Sequence, residues 1–136
     1  MYINSTLLRV RYAETDQMGV VYYGNYAQYF EVARTESLRE LGLTYRHLED
    51  KGIMLPVLSL NIKYIRPAVY DDELRIKTII DEVPSTRITF HHEIVNAQNE
   101  LLTTGSVQLV FVDAQTRKPR KAPAEVTEQL IKRINS

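Results

Sequence analysis

The sequence predicts an α+β fold in which a five-stranded antiparallel sheet wraps around one long helix. Three observations lead there. Residues 25–42 carry one helical period, four later runs alternate apolar and polar side chains, and the breaks between those runs are of hairpin length. Alternation with short connections favours antiparallel pairing over crossovers, and a lone amphipathic helix must bury its stripe against the apolar face of such a sheet. With 136 residues, 44% of them hydrophobic, the chain suffices for one core, so a single domain over 1–136 is expected.

Each element has its own warrant. Residues 5–12, STLLRVRY, read as a first strand, and a loop over 13–24 follows it. Tyr26, Phe30, Ala33, Ser37 and Leu41 then recur at three and four, opposite a polar stripe of Gln28, Glu31, Thr35 and Arg39. Gly42 stops that helix. TYRHLEDKG suits a short second helix begun by Thr44 and closed by Gly52.

After residue 52 the period becomes two. Leu58, Leu60, Ile62 and Tyr64 oppose Ser59, Asn61 and Lys63, which predicts a half-buried strand. Leu74, Ile76 and Ile80 repeat the pattern against Arg75, Lys77 and Asp81; Ile88, Phe90 and Ile94 repeat it against Arg87, Thr89 and Glu93; Val107, Leu109 and Phe111 continue it. Gly105 inside the last run reads as a bulge that bends the sheet or as a loop residue. PAEVTEQLIKRI closes the chain as a helix with Pro123 in its first turn.

Composition removes several classes of function. Seventeen Lys plus Arg balance seventeen Asp plus Glu, so no bulk field is present to hold a nucleic acid or an anionic membrane. No apolar run is long enough to span a bilayer and the opening residues lack a secretion-signal order, so a cytoplasmic location is expected. Zero cysteines exclude disulfides, thiolate nucleophiles and Cys-based metal sites.

The chemistry concentrates in ETDQMGVVYYGNY, residues 14–26. Asp16 precedes the long helix by a loop short enough to bring its carboxylate back toward the free N–H groups of the helix start. Those groups suit a carbonyl oxygen that becomes an oxyanion, and a carboxylate on the other side can attack the carbon or deprotonate a water. Met18, Val20, Val21, Tyr22 and Tyr23 supply apolar surroundings for an acyl group. A plainer reading stands beside this one, because Thr15 and Asp16 before a glycine often only bond their own backbone in a turn. Glu14 competes for the same role, Glu31 falls on the solvent stripe of the helix, and the Tyr22, Tyr23, Tyr26, Tyr29 and Phe30 cluster serves as core, pocket or both.

The histidines offer little. His91 and His92 are adjacent on a strand and face opposite ways; His92 falls on the apolar face as a satisfied core histidine, and His47 lies in the short helix. Metal-binding, nucleophile-elbow, dinucleotide and phosphate-loop spacings are absent from the sequence. RKPRK at 117–121 is either a solvated turn or an anchor for the phosphates of a nucleotide-bearing thiol carrier, with Arg117 and Lys118 as donors; Arg66 before Pro67 is a further candidate.

YAETDQMGVVYYGNYAQYFEVAR, residues 12–34, resembles the hot-dog fold acyl-CoA thioesterases of the 4-hydroxybenzoyl-CoA thioesterase family. The family pattern is met by Tyr12, Thr15, Asp16, Gly19, Val21, Tyr22, Asn25, Tyr26, Glu31, Ala33 and Arg34, and YIRPAVYDDEL and LVFVDAQTRKPRKAP resemble its later strand exits. The resemblance implies a thioester hydrolase with Asp16 as nucleophile or general base and the backbone N–H near Tyr23 as oxyanion donor. It implies acyl-CoA as substrate, no metal or redox cofactor, and a homo-oligomer, a dimer or a dimer of dimers (a homotetramer), with each site at a subunit interface. Tyr12, Met18, Gly19, Val20, Val21, Tyr22, Tyr26, Arg66, Arg117 and Lys118 are the expected substrate contacts. In the branch associated with the Tol-Pal envelope system a histidine follows the aspartate by seven residues, whereas here that position is Tyr23, compatible with the 4-hydroxybenzoyl branch. Two rival readings are a hot-dog dehydratase or hydratase, which needs a histidine near the acyl chain, and a non-catalytic acyl-thioester-binding protein.

Overall fold

The computed structural model describes residues 1–135. Strand β1 spans Tyr2–Arg9, a 3-10 turn at Tyr12–Glu14 opens the following loop, and helix α1 runs over Asn25–Glu40. Helix α2 covers Tyr45–Asp50 and the short β2 covers Ile53–Met54. The main strands follow as β3 (Val57–Tyr64), β4 (Glu73–Ile80), β5 (Arg87–Val95) and β6 (Leu101–Val110). The short β7, Val112–Asp113, pairs with β2, and α3 spans Ala124–Ile134.

Five strands form one antiparallel sheet in the order β1-β4-β5-β6-β3. Helix α1 lies on the sheet face that carries Leu74, Ile76, Ile80, Phe90 and Ile94, all of them buried, and its own stripe of Tyr26, Phe30, Ala33, Ser37 and Leu41 is buried in turn. The helix ends because Gly42 adopts a φ of 75° that side chains disfavour. Gly42 N–H then donates to Arg39 O and Leu43 N–H to Leu38 O, at 3.0 and 2.7 Å, which satisfies the last carbonyls. Thr44 opens α2 by accepting a bond from His47 N–H at 3.2 Å.

Three expectations change. The first strand lies at 2–9 rather than 5–12, because Arg11 to Glu14 close a turn in which Glu14 N–H donates to Arg11 O at 2.9 Å. Strand β3 is not half-buried: Leu58, Leu60 and Tyr64 are 48%, 42% and 48% exposed. Its place at the sheet edge, bonded only to β6, explains this, since α1 packs on β1 and β4 instead. Gly105 is neither bulge nor loop. It pairs in register with Ile62 and His92, while the register shifts fall at Val57/Ser59 and Ile94/Val95.

Candidate active site

The segment before α1 folds back on itself. Thr15 and Val21 form an antiparallel bridge, and Val20 bridges to Val69. Tyr22 N–H donates to Glu14 O at 2.9 Å, and the turn closes over Gly19 with a φ of 79° that favours glycine. Asp16 occupies this turn. Its N–H donates to Val20 O at 2.9 Å, its carbonyl accepts from Gly19 N–H at 3.0 Å, and its Oδ1 accepts from Met18 N–H at 2.8 Å. The local backbone bond anticipated for an aspartate before glycine is therefore present, but it engages one carboxylate oxygen. Among the described residues Oδ2 has no protein donor.

The start of α1 leaves donors over. Asn25 N–H is taken by Tyr22 O at 2.9 Å and Tyr26 N–H by Tyr23 O at 3.3 Å, so the loop carbonyls use the first two helical amides. Asn25 Nδ2 ties the helix to Glu14 O at 2.8 Å. Gly24 caps the helix without a side-chain bond, and a Cβ there would stand 2.8 Å from the Tyr22 ring. Among the described residues the amides of Tyr23 and Gly24 have no protein acceptor, and both lie at the electropositive end of a 16-residue helix. Counting residues away from the Thr15–Val21 bridge places the Asp16 backbone on the order of 10 Å from the Tyr23 amide, close enough for one acyl group to span.

Glu14 is committed elsewhere. It is 8% exposed, and its oxygens accept from Arg11 N–H at 2.8 Å, the Tyr29 hydroxyl at 3.0 Å and the Arg11 guanidinium at 3.0 Å. Burial alone would raise its pKa, but these donors outweigh it and hold the carboxyl below its ordinary range, while burial and the Glu14 charge push the Tyr29 hydroxyl up. His92 is not fully satisfied. Its Nδ1 meets Thr78 Oγ1 at 3.1 Å, but Nε2 is buried without a partner among the described residues.

A cavity of about 230 Å³ lies against the helix start. Val21, Tyr23 and Tyr26 line one side, and Tyr64, Ile65, Arg66 and Pro67 at the exit of β3 line the other. The Tyr64 hydroxyl donates to Tyr23 O at 3.3 Å, and the Tyr26 hydroxyl accepts from Ala68 N–H at the same distance. Arg66 pairs with Glu100. Tyr64, Ile65 and Pro67 went unanticipated, because their position depends on Ile65 N–H and Arg66 N–H both donating to Leu102 O, at 2.9 and 3.0 Å, a tertiary fact with no local period.

The remaining anticipated residues lie outside this cavity. Asp16, Met18, Gly19, Val20 and Tyr22 form the turn beside it, and the Tyr12 ring packs tilted against Tyr70 with centroids 5.6 Å apart. Tyr12 and Met18 are 75% and 80% exposed. Arg117 and Lys118 are exposed in a turn that Asp113 organises, with Arg117 N–H donating to Asp113 O at 2.8 Å. That turn adjoins β2 at the start of β3, whereas the cavity adjoins the end of β3. The eight-residue strand separates them by roughly 25 Å within one chain. A larger depression of about 440 Å³ spans Asn61, Lys63, His91, Glu93, Thr104 and Ser106 on the wet face of the sheet, away from Asp16 and Tyr23.

A helix held against five antiparallel strands, preceded by a folded-back loop that carries a carboxylate, defines the hot-dog class of thioester-handling proteins. Residues 10–130 match the model of the thioesterase-like superfamily, and the chain belongs to that family. It is 37% identical over 131 residues to the acyl-CoA thioester hydrolase YbgC of Escherichia coli, covering 93% of this chain and 98% of that one. It is 35% identical over 119 residues to the putative acyl-CoA thioesterase YneP of Bacillus subtilis, covering 88% and 86%. Among solved structures, the DHNA-CoA thioesterase of Staphylococcus aureus superposes with a TM-score of 0.92 at 38% identity, over 97% of this chain and 91% of that one.

Proposed function

We propose that this protein is an acyl-CoA thioesterase in which Asp16 and the Tyr23 N–H act on opposite sides of one thioester carbonyl. The Asp16 Oδ2 left without a protein donor among the described residues, in the turn beside a helix start whose Tyr23 and Gly24 amides are likewise unused, is the observation that carries the reading. The carboxylate adds to the carbonyl carbon, or removes a proton from a water that does. The carbonyl oxygen gains negative charge against Tyr23 N–H, and the C–S bond breaks with the coenzyme A thiolate leaving and taking up a proton. On the water route the free acid forms directly; on the addition route a mixed anhydride with Asp16 forms, which a water then hydrolyses to free acid and the Asp16 carboxylate. A fixed donor of this kind contributes roughly 3–4 kcal/mol to the transition state.

The cavity walls of Val21, Tyr26 and Tyr64 take a fatty or aryl acyl group, and the exposed Tyr12, Met18, Gly19 and Tyr22, with the partly buried Val20, complete the wall when a second chain covers them. The named relatives support coenzyme A as the carrier, and with no helix among the described residues long and apolar enough to cross a membrane, the reading includes a cytoplasmic location and one thioesterase domain over 1–136. A homo-oligomer belongs to it as well, because the exposed edge of β3 invites a second copy. The hydratase alternative is disfavoured by the histidines: His91 lies on the wet sheet face, His92 in the core, and His47 binds Glu125 Oε2 at 2.9 Å. Asp16→Asn keeps the turn acceptor and removes the charge, so kcat for acyl-CoA hydrolysis falls at least about 10²-fold while acyl-CoA binding persists. An unchanged kcat, measured as thiol release, rejects the assignment, and binding without release in the unaltered protein favours a non-catalytic binder.

A further inference from the structure

Arg34 is a buried cation that nothing else in the chain explains. It is 5% exposed, yet among the described residues no carboxylate lies within ion-pair distance of it. Its one hydrogen bond runs from Nε to the Tyr45 hydroxyl at 3.5 Å, at the limit for such a bond. A guanidinium taken out of water without an anion is among the costliest features a fold can carry. The side chain borders a second cavity, of about 150 Å³, separate from the one at Tyr23. Ala27, Gln28 and Glu31 of α1 form one wall, and Val57 and Leu60 of β3 form the other. Val57 and Leu60 are 52% and 42% exposed on the unpaired sheet edge. Glu31 is exposed at the same cavity, and among the described residues it too has no ion pair.

We propose that Arg34 takes its counter-charge from Glu31 of the partner subunit when two copies pair along β3, forming two reciprocal ion pairs across the two-fold axis. This rests on the dimer reading given above. A two-fold interface is self-complementary, so if Arg34 of one protomer meets the partner's Glu31, the partner's Arg34 meets this Glu31 without further requirement. The two residues stand three apart on one helix face, so a second helix laid antiparallel presents them in the reversed order that this pairing needs. The β3 edge supplies the rest of the contact, because Val57 and Leu60 wall the same cavity and offer an apolar border that excludes water. A carboxylate on a bound ligand is the competing occupant, and recovery of a mixed dimer from complementary charge-swapped chains separates the two.

The test is the dimer dissociation constant, read by sedimentation over a dilution series. Glu31 is exposed, so its replacement leaves the fold intact, which circular dichroism checks. Glu31→Gln raises the constant about tenfold, and Glu31→Arg, which sets two cations against each other, raises it at least about 100-fold. Mixing Glu31→Arg with Arg34→Glu yields a dimer near wild-type affinity, since one chain is then wholly cationic and the other wholly anionic at these positions. Pairing within a chain predicts no such rescue. If Arg34→Glu does not fold alone, co-expression with Glu31→Arg gives the same comparison: recovery as the mixed dimer supports the pair, and failure to recover it overturns it. A wild-type protein that is monomeric at micromolar concentration removes the dimer reading itself. A dimeric wild type whose constant is unmoved by Glu31→Arg, with or without a raised KM for acyl-CoA, overturns only this inference.

Discussion

His92 stacks on Phe30 with ring centroids 4.6 Å apart and 13° between the planes, and 1% of it reaches solvent. Burial, reinforced by the charges of Arg34 and His91, pushes its pKa down to about 3. The imidazole is therefore neutral in the folded protein throughout the physiological range, while in the unfolded chain it titrates near its ordinary value of about 6.5. The unfolded state binds more protons than the folded state between those values, so stability is fully present above about pH 6.5 and is lost as the pH falls toward 3. From about pH 7.5 to about pH 5.5 the loss from this one group is roughly 1.4 kcal/mol. His92→Asn keeps an acceptor for Thr78 and removes the titration. Urea unfolding at the two pH values is expected to show a smaller difference for the variant than for the wild type by that amount, and equal differences would mean that His92 titrates alike in both states.

At the level of elements, the contact between α1 and β6 depends on a missing side chain. A Cβ on Gly105 would stand 2.5 Å from Phe30 Cε2 and 2.7 Å from Asn61 O, distances that real Cβ atoms do not reach. The Phe30 ring can yield only by breaking its stack on His92, and the Asn61 carbonyl belongs to the β3 backbone, which cannot yield without shifting the strand. Gly105→Ala therefore destabilises by about 1–3 kcal/mol despite the gain in strand propensity, and Phe30→Leu in the same chain restores only part of it because Asn61 O remains. Thermal melting of the single and double variants measures both effects. The same residues show what the sequence could reveal. The α1 stripe from Tyr26 to Leu41 and the buried alternation of Leu74, Ile76, Phe90 and Ile94 were legible because local periodicity decides which way those side chains face. The exposure of Leu58 and Leu60 was not, since it depends on which strand ends the sheet. Gly105 read as a bulge or a loop residue, and its close approach to Phe30, 75 residues earlier in the chain, could not be named from spacing. At the candidate site, the turn at Asp16 follows from an aspartate set before a glycine, but the Tyr64 to Pro67 wall arises from how β3 leaves β6.

At the scale of the whole molecule, the distance between the basic turn and the cavity turns from an objection into a prediction. Arg117 and Lys118 lie by the start of β3 and the cavity by its end, so within one chain roughly 25 Å of strand separates them. Two copies joined along β3 in the antiparallel sense reverse one strand against the other, and each basic turn then lies beside the partner's cavity. On this reading the carboxylate and the phosphate anchor of each site come from different chains. The sharp consequence concerns mixed dimers. One parent carries Asp16→Asn with an intact anchor and turns over poorly; the other carries Arg117→Ala with Lys118→Ala, keeps Asp16, and shows a KM raised about tenfold or more through loss of two charge-assisted phosphate contacts. In the mixed dimer one site joins the intact Asp16 of the second chain to the intact anchor of the first, and the other site lacks both. Steady-state kinetics of the purified mixed dimer are therefore expected to show a wild-type KM with about half the wild-type kcat per dimer. An anchor acting within its own chain predicts the raised KM of the second parent instead, and a basic turn that never touches substrate predicts an unaltered KM in that parent before any mixing.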